Sequence, residues 1–201
     1  MTLRKEESMK IRLIRHFATA GNLERRYIGR TDEPILTPAP GKQGSLGKPE
    51  YIVSSPMLRC RQTAEVLFGR EPDAVCSLLC ETDFGTFEGK NYEELKDDPD
   101  YQKWLDSNGT TAFPGGEGRA EFAGRTCRGF EEMAGRLIGL GCQDAAFVVH
   151  GGTIMAVLSN YAKESGSFYD WQTANETGFL AELDEAEWLS GKKRLTEIET
   201  L

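Results

Sequence analysis

At 201 residues, 39% hydrophobic and 28% charged, the chain has the make-up of one globular domain able to bury a sizeable core. A net charge of −8 excludes a general nucleic-acid or membrane-surface binder, because the bulk field repels polyanions. A small anionic ligand would need a local positive pocket built against that background, and no apolar run approaches the roughly 18 to 20 residues of a membrane helix.

The first ten residues, "MTLRKEESMK", are polar and carry no apolar h-region, so they do not read as a secretory signal. Residues 1–8 read as a disordered extension, with Met9 as a second start, and residues 9–201 as a single domain. "IRLI" predicts a first strand that runs directly into Arg15 and His16. "GRTDEPILTPAPGKQGSLGKPE" is rich in Gly and Pro and reads as loop. "YIVSS" predicts the next strand. In "SPMLRCRQTAEVLFG", Met57, Cys60, Ala64, Leu67 and Phe68 recur at helical spacing, with Ser55 as the expected N-cap and Pro56 at the first helical position. "AVCSLL" predicts a third strand.

The stretch from Gly85 to Gly118 is polar and aromatic and reads as an inserted lid, with "NGTTAFPGGEG" as loop. "RAEFAGRTCRGFEEMAGRLIGLG" predicts a long helix with Phe122, Phe130, Met133, Leu137 and Ile138 on one face, ending at glycine. "AAFVV" predicts a strand, "GTIMAVLSNYA" a helix, and "GFLAEL" and "RLTEIET" the last strands. Strands alternating with helices predict a three-layer α/β/α sandwich around a mostly parallel sheet.

The five cysteines, Cys60, Cys76, Cys80, Cys127 and Cys142, are odd in number and show no paired motif, which predicts reduced thiols in a cytoplasmic protein. Cys76 and Cys80 lack the partners that would complete a metal site.

The chain has only two histidines, and both follow an apolar strand and precede a turn: His16 after "IRLIR" and His150 in "AAFVVHGGTIMAVL". Ligands of open α/β sheets bind beyond the carboxyl ends of strands. Gly151 and Gly152 would let backbone approach such a ligand, and the helix after them offers free N–H groups to an anion. Arg15 supplies a planar, permanently charged fork suited to phosphate oxygens. A neutral imidazole among such cations can attack phosphorus, and a carboxylic acid would then be needed to protonate the leaving oxygen.

In "RHFATAGN", "SSPMLRCRQTAEVL", "ETDFGTFEG" and "VVHGGTIMAVL", four ordered motifs between Arg15 and Leu158, the sequence resembles the histidine phosphatase superfamily, which includes the cofactor-dependent phosphoglycerate mutases and many small phosphatases. The resemblance implies a phosphoglycerate mutase-like fold and a small phosphorylated substrate. It implies no cofactor and no metal, since nucleophile, acid and charge stabilisers are all side chains, and the net charge already argues against a nucleic-acid or membrane partner. Oligomeric state carries no signal in the sequence. By position, the resemblance makes His16 the nucleophile, Arg15 and Arg59 the phosphoryl clamp, His150 its completion and Glu81 the proton donor. Asn22 matches a phosphate contact, and Thr19 and Thr153 match positions lining the site, beside Gly151. Asp83 lies close enough to compete with Glu81 for the acid role. Arg61 reads as a solvated helix charge. Arg25, Arg26 and Arg30 read either as a charged loop or as a wider positive funnel.

Two departures from the family pattern stand out. Phe17 replaces the glycine usual after the nucleophile, with Ala18 at the next, often acidic, position; a bulky ring there would narrow or reshape the pocket and cost some activity or, in a non-catalytic phosphate-binding protein, block turnover, and the sequence does not choose among these. The segment from Gly41 to Glu50 is shorter than the helix usual there and is expected to form only a turn.

The length favours a phosphatase over a mutase. "GNLERRYIGRTDEP", "DFGTFEGKNYEELKDDPDYQKW" and "FPGGEG" resemble the alpha-ribazole phosphatases of cobalamin assembly, which makes alpha-ribazole 5′-phosphate one candidate substrate. Tyr92, Tyr101, Trp104 and Phe113 would then either contact the substrate or form the core of the lid.

Overall fold

The computed structural model describes residues 8–38, 40–164 and 166–201. Six strands form one sheet: β1 (Ser8–Arg15), β2 (Tyr51–Ser54), β3 (Ala74–Val75), β4 (Asp144–Val149), β5 (Gly178–Asp184) and β6 (Thr196–Thr200), in the order β3-β2-β4-β1-β5-β6. The first four in that order run parallel, and β5 and β6 add an antiparallel edge beside β1. β1 begins at Ser8, inside the stretch expected to be disordered; residues 1–7 lie outside the described residues.

Side chains alternate across the sheet with the strand period of two. Ala145, Phe147 and Val149 of β4 enter the main apolar cluster, while Ala146 and Val148 point to the opposite face. α5 (Arg119–Gly139) and α6 (Gly151–Tyr161) cover the first face through Phe130, Met133, Leu137, Ile154 and Val157. α2 (Leu58–Phe68) covers the other through Cys60, Ala64 and Leu67. Residues 41–50 form turns and bends, without the helix.

Two local expectations are corrected. α2 does not start on Ser55 and Pro56: its N-cap is Met57, without a side-chain cap, and the Leu58 N–H donates instead to Asp32 Oδ1 at 2.7 Å. Ser55 Oγ lies 2.8 Å from His150 Nε2. "AVCSLL" is strand only at Ala74–Val75, because its partner β2 ends at Ser54; Ser77–Leu79 then coil into a 3₁₀ turn against α5.

Short elements that the sequence pattern does not signal include α1 (Ala20–Leu23), α7 (Glu185–Leu189) and the 3₁₀ turn at Phe168–Trp171. Between β3 and α5 the chain forms α3 (Tyr92–Leu95) and α4 (Pro99–Asp106), around a small core of Phe87, Leu95, Tyr101 and Phe113.

Candidate active site

The two histidines meet because β1 and β4 are parallel neighbours in register. Arg15 pairs with Val149, so the next residue of each strand is a histidine, and the His16 N–H donates to the Val149 carbonyl at 3.0 Å. The two rings lie edge to face with centroids 5.2 Å apart. β2 ends beside them, where the Ser55 N–H donates to Val148 O at 3.1 Å.

Nδ1 of His16 lies 2.7 Å from the Phe17 carbonyl oxygen. A carbonyl only accepts, so Nδ1 carries the proton and Nε2 keeps its lone pair. The ring is 4% exposed. Burial, helped by the charges of Arg59 and Arg15, pushes its pKa down to about 3, so the imidazole is neutral at ordinary pH. His150, fully buried, is also pushed well below its usual value, by burial first and then by Arg59, His16 and Arg15.

Arg15 Nη1 donates to Thr173 O at 2.6 Å. Arg59 is 1% exposed; its Nη1 donates to Thr31 O at 2.8 Å and its Nη2 to Gly29 O at 3.0 Å. The Nε–H groups of both arginines are buried with no hydrogen-bond partner among the described residues. Glu88 orders the loop that receives Arg59, accepting from Gly29 N at 3.0 Å and from Thr31 N and Oγ1 at 2.9 and 2.8 Å.

Glu81 accepts from Thr82 N at 2.9 Å and, through its other oxygen, from Gly152 N at the start of α6 at 3.2 Å. Asp83 instead pairs with Arg30 at 2.6 Å and does not line the cleft, so geometry separates the two candidate acids. Thr19 caps α1, and its N–H donates to Asn22 Oδ1 at 3.2 Å. Asn175 Nδ2 bridges that same Oδ1, at 3.2 Å, to the His16 carbonyl, at 2.9 Å.

These groups edge or underlie a cleft of about 500 Å³. Arg15, Asn22, Glu81, Gly151, Gly152 and Asn175 line one part of it. The aromatic rings of Tyr27, Phe84, Trp104, Phe113, Phe168 and Tyr169 contribute much of the rest. His16, His150 and Arg59 lie behind this lining. Thr19 and Thr153 are buried and do not line the cleft; the Thr153 hydroxyl donates to Leu79 O at 3.4 Å.

Arg25 and Arg26 line the cleft and Arg30 does not. Arg61 pairs with Glu71 on the surface. Tyr101 belongs to the core of the 85–118 segment, Phe113 to both core and cleft, Trp104 to the cleft wall packed on that core, and Tyr92 to neither.

Phe17 does not narrow the pocket. Its ring is 1% exposed and packs with Ile14, Leu67 and Ala146 on the α2 face of the sheet. Its N–H donates to Thr63 Oγ1 at 2.8 Å, and that hydroxyl donates to Arg59 O at 2.7 Å. Residue 17 therefore anchors the nucleophile's backbone instead of blocking it.

Asn175, Ser55 and Glu88 were missed in the sequence. Asn175 lies in the turn before β5, and only the antiparallel placement of β5 beside β1 brings that turn to His16. Among the described residues, no group of three or more His, Cys, Asp or Glu side chains could hold a metal ion, and no helix is long and apolar enough to cross a membrane.

Comparison with known proteins agrees with this geometry. The sequence model of the histidine phosphatase superfamily (branch 1) matches residues 11–196. An acid phosphatase of Mycobacterium tuberculosis is 28% identical over 178 residues, 83% of each chain. A phosphoglycerate mutase structure from Thermus thermophilus is 31% identical, with a TM-score of 0.64, covering 96% of this chain and 99% of that one. The alpha-ribazole phosphatase of Shigella flexneri superposes with a TM-score of 0.74 over 94% of both chains; at 20% identity it shows the fold alone.

Proposed function

The chain belongs to the histidine phosphatase superfamily, and from that membership we propose that it hydrolyses a small phosphomonoester through a phosphoryl group carried on His16. The observation that carries the reading is the His16 imidazole: buried, neutral, and fixed by the Phe17 carbonyl in the tautomer that leaves Nε2 unprotonated. In the first step Nε2 attacks phosphorus and the bond to the ester oxygen breaks. Glu81 in its acid form gives that oxygen its proton, and the alcohol leaves. In the second step Glu81, now a carboxylate, takes a proton from water as the water oxygen attacks phosphorus. The P–N bond breaks, inorganic phosphate departs, and His16 is neutral again.

Charge on the transferring phosphoryl group is met by Arg15, Arg59 and His150. The unpartnered Nε–H groups of the two arginines are donors that phosphoryl oxygens would satisfy. Asn22 and the backbone at Gly151 bind the same group, with Asn175 holding Asn22 and the nucleophile's backbone together. Thr19 and Thr153 act behind this site, capping α1 and tying α6 to the 77–79 turn. Every role is filled by a side chain or by backbone, so the reaction as written calls for no cofactor.

Alpha-ribazole 5′-phosphate heads the panel of substrates, on the strength of the resemblance in the 85–118 segment. Phosphoryl transfer of the mutase type is the alternative, favoured by the 31% identity to the Thermus mutase structure; it predicts interconversion of phosphoglycerate isomers instead of release of phosphate. The test of the mechanism is rapid quenching during turnover of a labelled phosphomonoester. An acid-labile, base-stable label is expected on His16 and is expected to vanish in a folded His16→Ala variant. Label on a cysteine or serine would overturn the assignment.

A further inference from the structure

Seven of the twenty residues lining the cleft are aromatic, against 9% of the chain. Resting on the hydrolase reading above, we propose that the alcohol half of the substrate carries an aromatic ring, received by the wall of Tyr27, Phe84, Trp104, Phe113, Phe168 and Tyr169.

The packing of the 85–118 segment accounts for only part of this wall. That segment has its core in Phe87, Leu95, Tyr101 and Phe113, which are at most 8% exposed, and of these only Phe113 also faces the cleft. Tyr27, Phe84 and Trp104 form a half-buried layer over that core and still face the cleft. Phe168 and Tyr169 come from a different part of the chain, the 3₁₀ turn after α6, and Tyr169 is 47% exposed.

The rings are set in advance. Phe84 and Phe113 stand edge to face at 5.1 Å, Trp104 lies 5.0 Å from Phe113, and Tyr27 lies 5.1 Å from Phe84. A ring entering such a wall finds faces and edges already oriented, with little ordering cost left to meet.

The charges point the same way. Arg26 is paired with Glu24 and Glu94. Arg119 donates to Asn108 O and Tyr169 Oη, with its guanidinium about 5 Å from the centres of the Phe168 and Tyr169 rings. Arg25, for which no ion pair forms among the described residues, has its N–H bonded to Asn22 O, so its backbone belongs with the phosphate-binding part of the cleft. Among the described residues Arg119 is thus the cation of the aromatic part that has no acidic partner, and it is held by two neutral acceptors beside the two rings.

The test uses non-hydrolysable phosphonates, so that binding is read apart from turnover. Calorimetric Kd values are measured for propylphosphonate, 2-cyclohexylethylphosphonate and 2-phenylethylphosphonate, alongside kcat/KM for the three corresponding phosphate esters. The phenyl compound is expected to bind about 30-fold more tightly than the propyl one and several-fold more tightly than the cyclohexyl one. Tyr169→Leu and Trp104→Leu are each expected to reduce the phenyl-to-cyclohexyl ratio by about threefold or more. Tyr169 is exposed enough to be replaced without disturbing the fold, so it decides the matter should Trp104→Leu misfold. Equal binding of phenyl and cyclohexyl compounds, or a ratio untouched by Tyr169→Leu, would overturn the proposal. Ring-dependent binding without turnover of any ester would sink the hydrolase reading and leave this one standing. Turnover of all three with flat Kd values would do the reverse.

Discussion

Replacing Gly152 by alanine should separate catalysis from stability. A Cβ built on Gly152 would lie 2.3 Å from Glu81 Oε1 and 3.2 Å from the edge of Phe122. Ordinary contact begins near 3.4 Å, so the Glu81 carboxylate must retreat by about 1 Å. It is the free end of a flexible side chain and can move at little cost to the fold. Alanine in the first turn of α6 also loses less backbone entropy than glycine, an effect of about 0.4–1 kcal/mol where the conformation is compatible. Gly152→Ala should therefore melt at or above the temperature of the parent protein.

Its chemistry should suffer all the same. A misplacement of about 1 Å can cost on the order of 10²-fold, and a positioned general acid contributes about 10²–10⁴-fold. The loss should fall on esters with poor leaving groups, because p-nitrophenolate departs largely without a proton. Single-turnover phosphorylation of the enzyme by an alkyl phosphate and by p-nitrophenyl phosphate makes the comparison, since the later dephosphorylation is common to both. A drop of about 10²-fold on the alkyl ester, with a much smaller one on the aryl ester, is the expected result. Equal losses on the two esters, or no loss on either, would show that Glu81 is not the acid held by Gly152.

Glu81→Gln should reproduce that leaving-group dependence, whereas Asp83→Asn, paired with the exposed Arg30 and away from the cleft, should leave the phosphorylation rates with both esters close to those of the parent. Phe17→Ala should cost about 3–5 kcal/mol in urea unfolding, because it empties a fully buried ring site in the core. Acid should destabilise the protein through His16. With its pKa at about 3 when folded and 6.5 when unfolded, the unfolded chain binds the extra proton between those values, so the contribution is complete above pH 6.5 and is lost as the pH falls toward 3. The total for this group is at most roughly 5 kcal/mol at about 1.4 kcal/mol per pH unit, and urea midpoints of His16→Gln between pH 7.5 and pH 4.5 should show a shallower decline than those of the parent.

How much of the site could be read in advance depends on whether its cause is local. His16 and His150 were legible because a strand, a turn and a helix N-terminus write themselves into a dozen residues. Glu81 was legible only through the family motif; its separation from Asp83 comes from the approach of Gly152 and Arg30, neither of which is near it in sequence. Asn175 was invisible because it reaches His16 only after β5 returns antiparallel along β1. The effect of Phe17 was not legible for a related reason: the side of the sheet on which a residue just past a strand end lands is decided by packing with Leu67 and Ala146, from two other elements. Ser55 satisfied the local rule for an N-cap and was claimed by His150 instead, leaving Asp32 to cap α2 from across the loop.

The loop between Ile28 and Thr31 works through its peptide groups. Glu88 binds it mainly by the N–H groups of Gly29 and Thr31, and Arg59 binds it by the carbonyls of Gly29 and Thr31. A saturation library should reflect this division of labour. Arg59 and Glu88 should tolerate almost no replacement. Arg30, whose side chain is outside this exchange, should tolerate most. Gly29 should join the intolerant pair for steric reasons, since any side chain there would run into the Thr82 carbonyl 2.0 Å from its first carbon. Mutational sensitivity around this buried arginine would then follow the backbone's hydrogen-bonding pattern more closely than the chemical character of the loop's side chains.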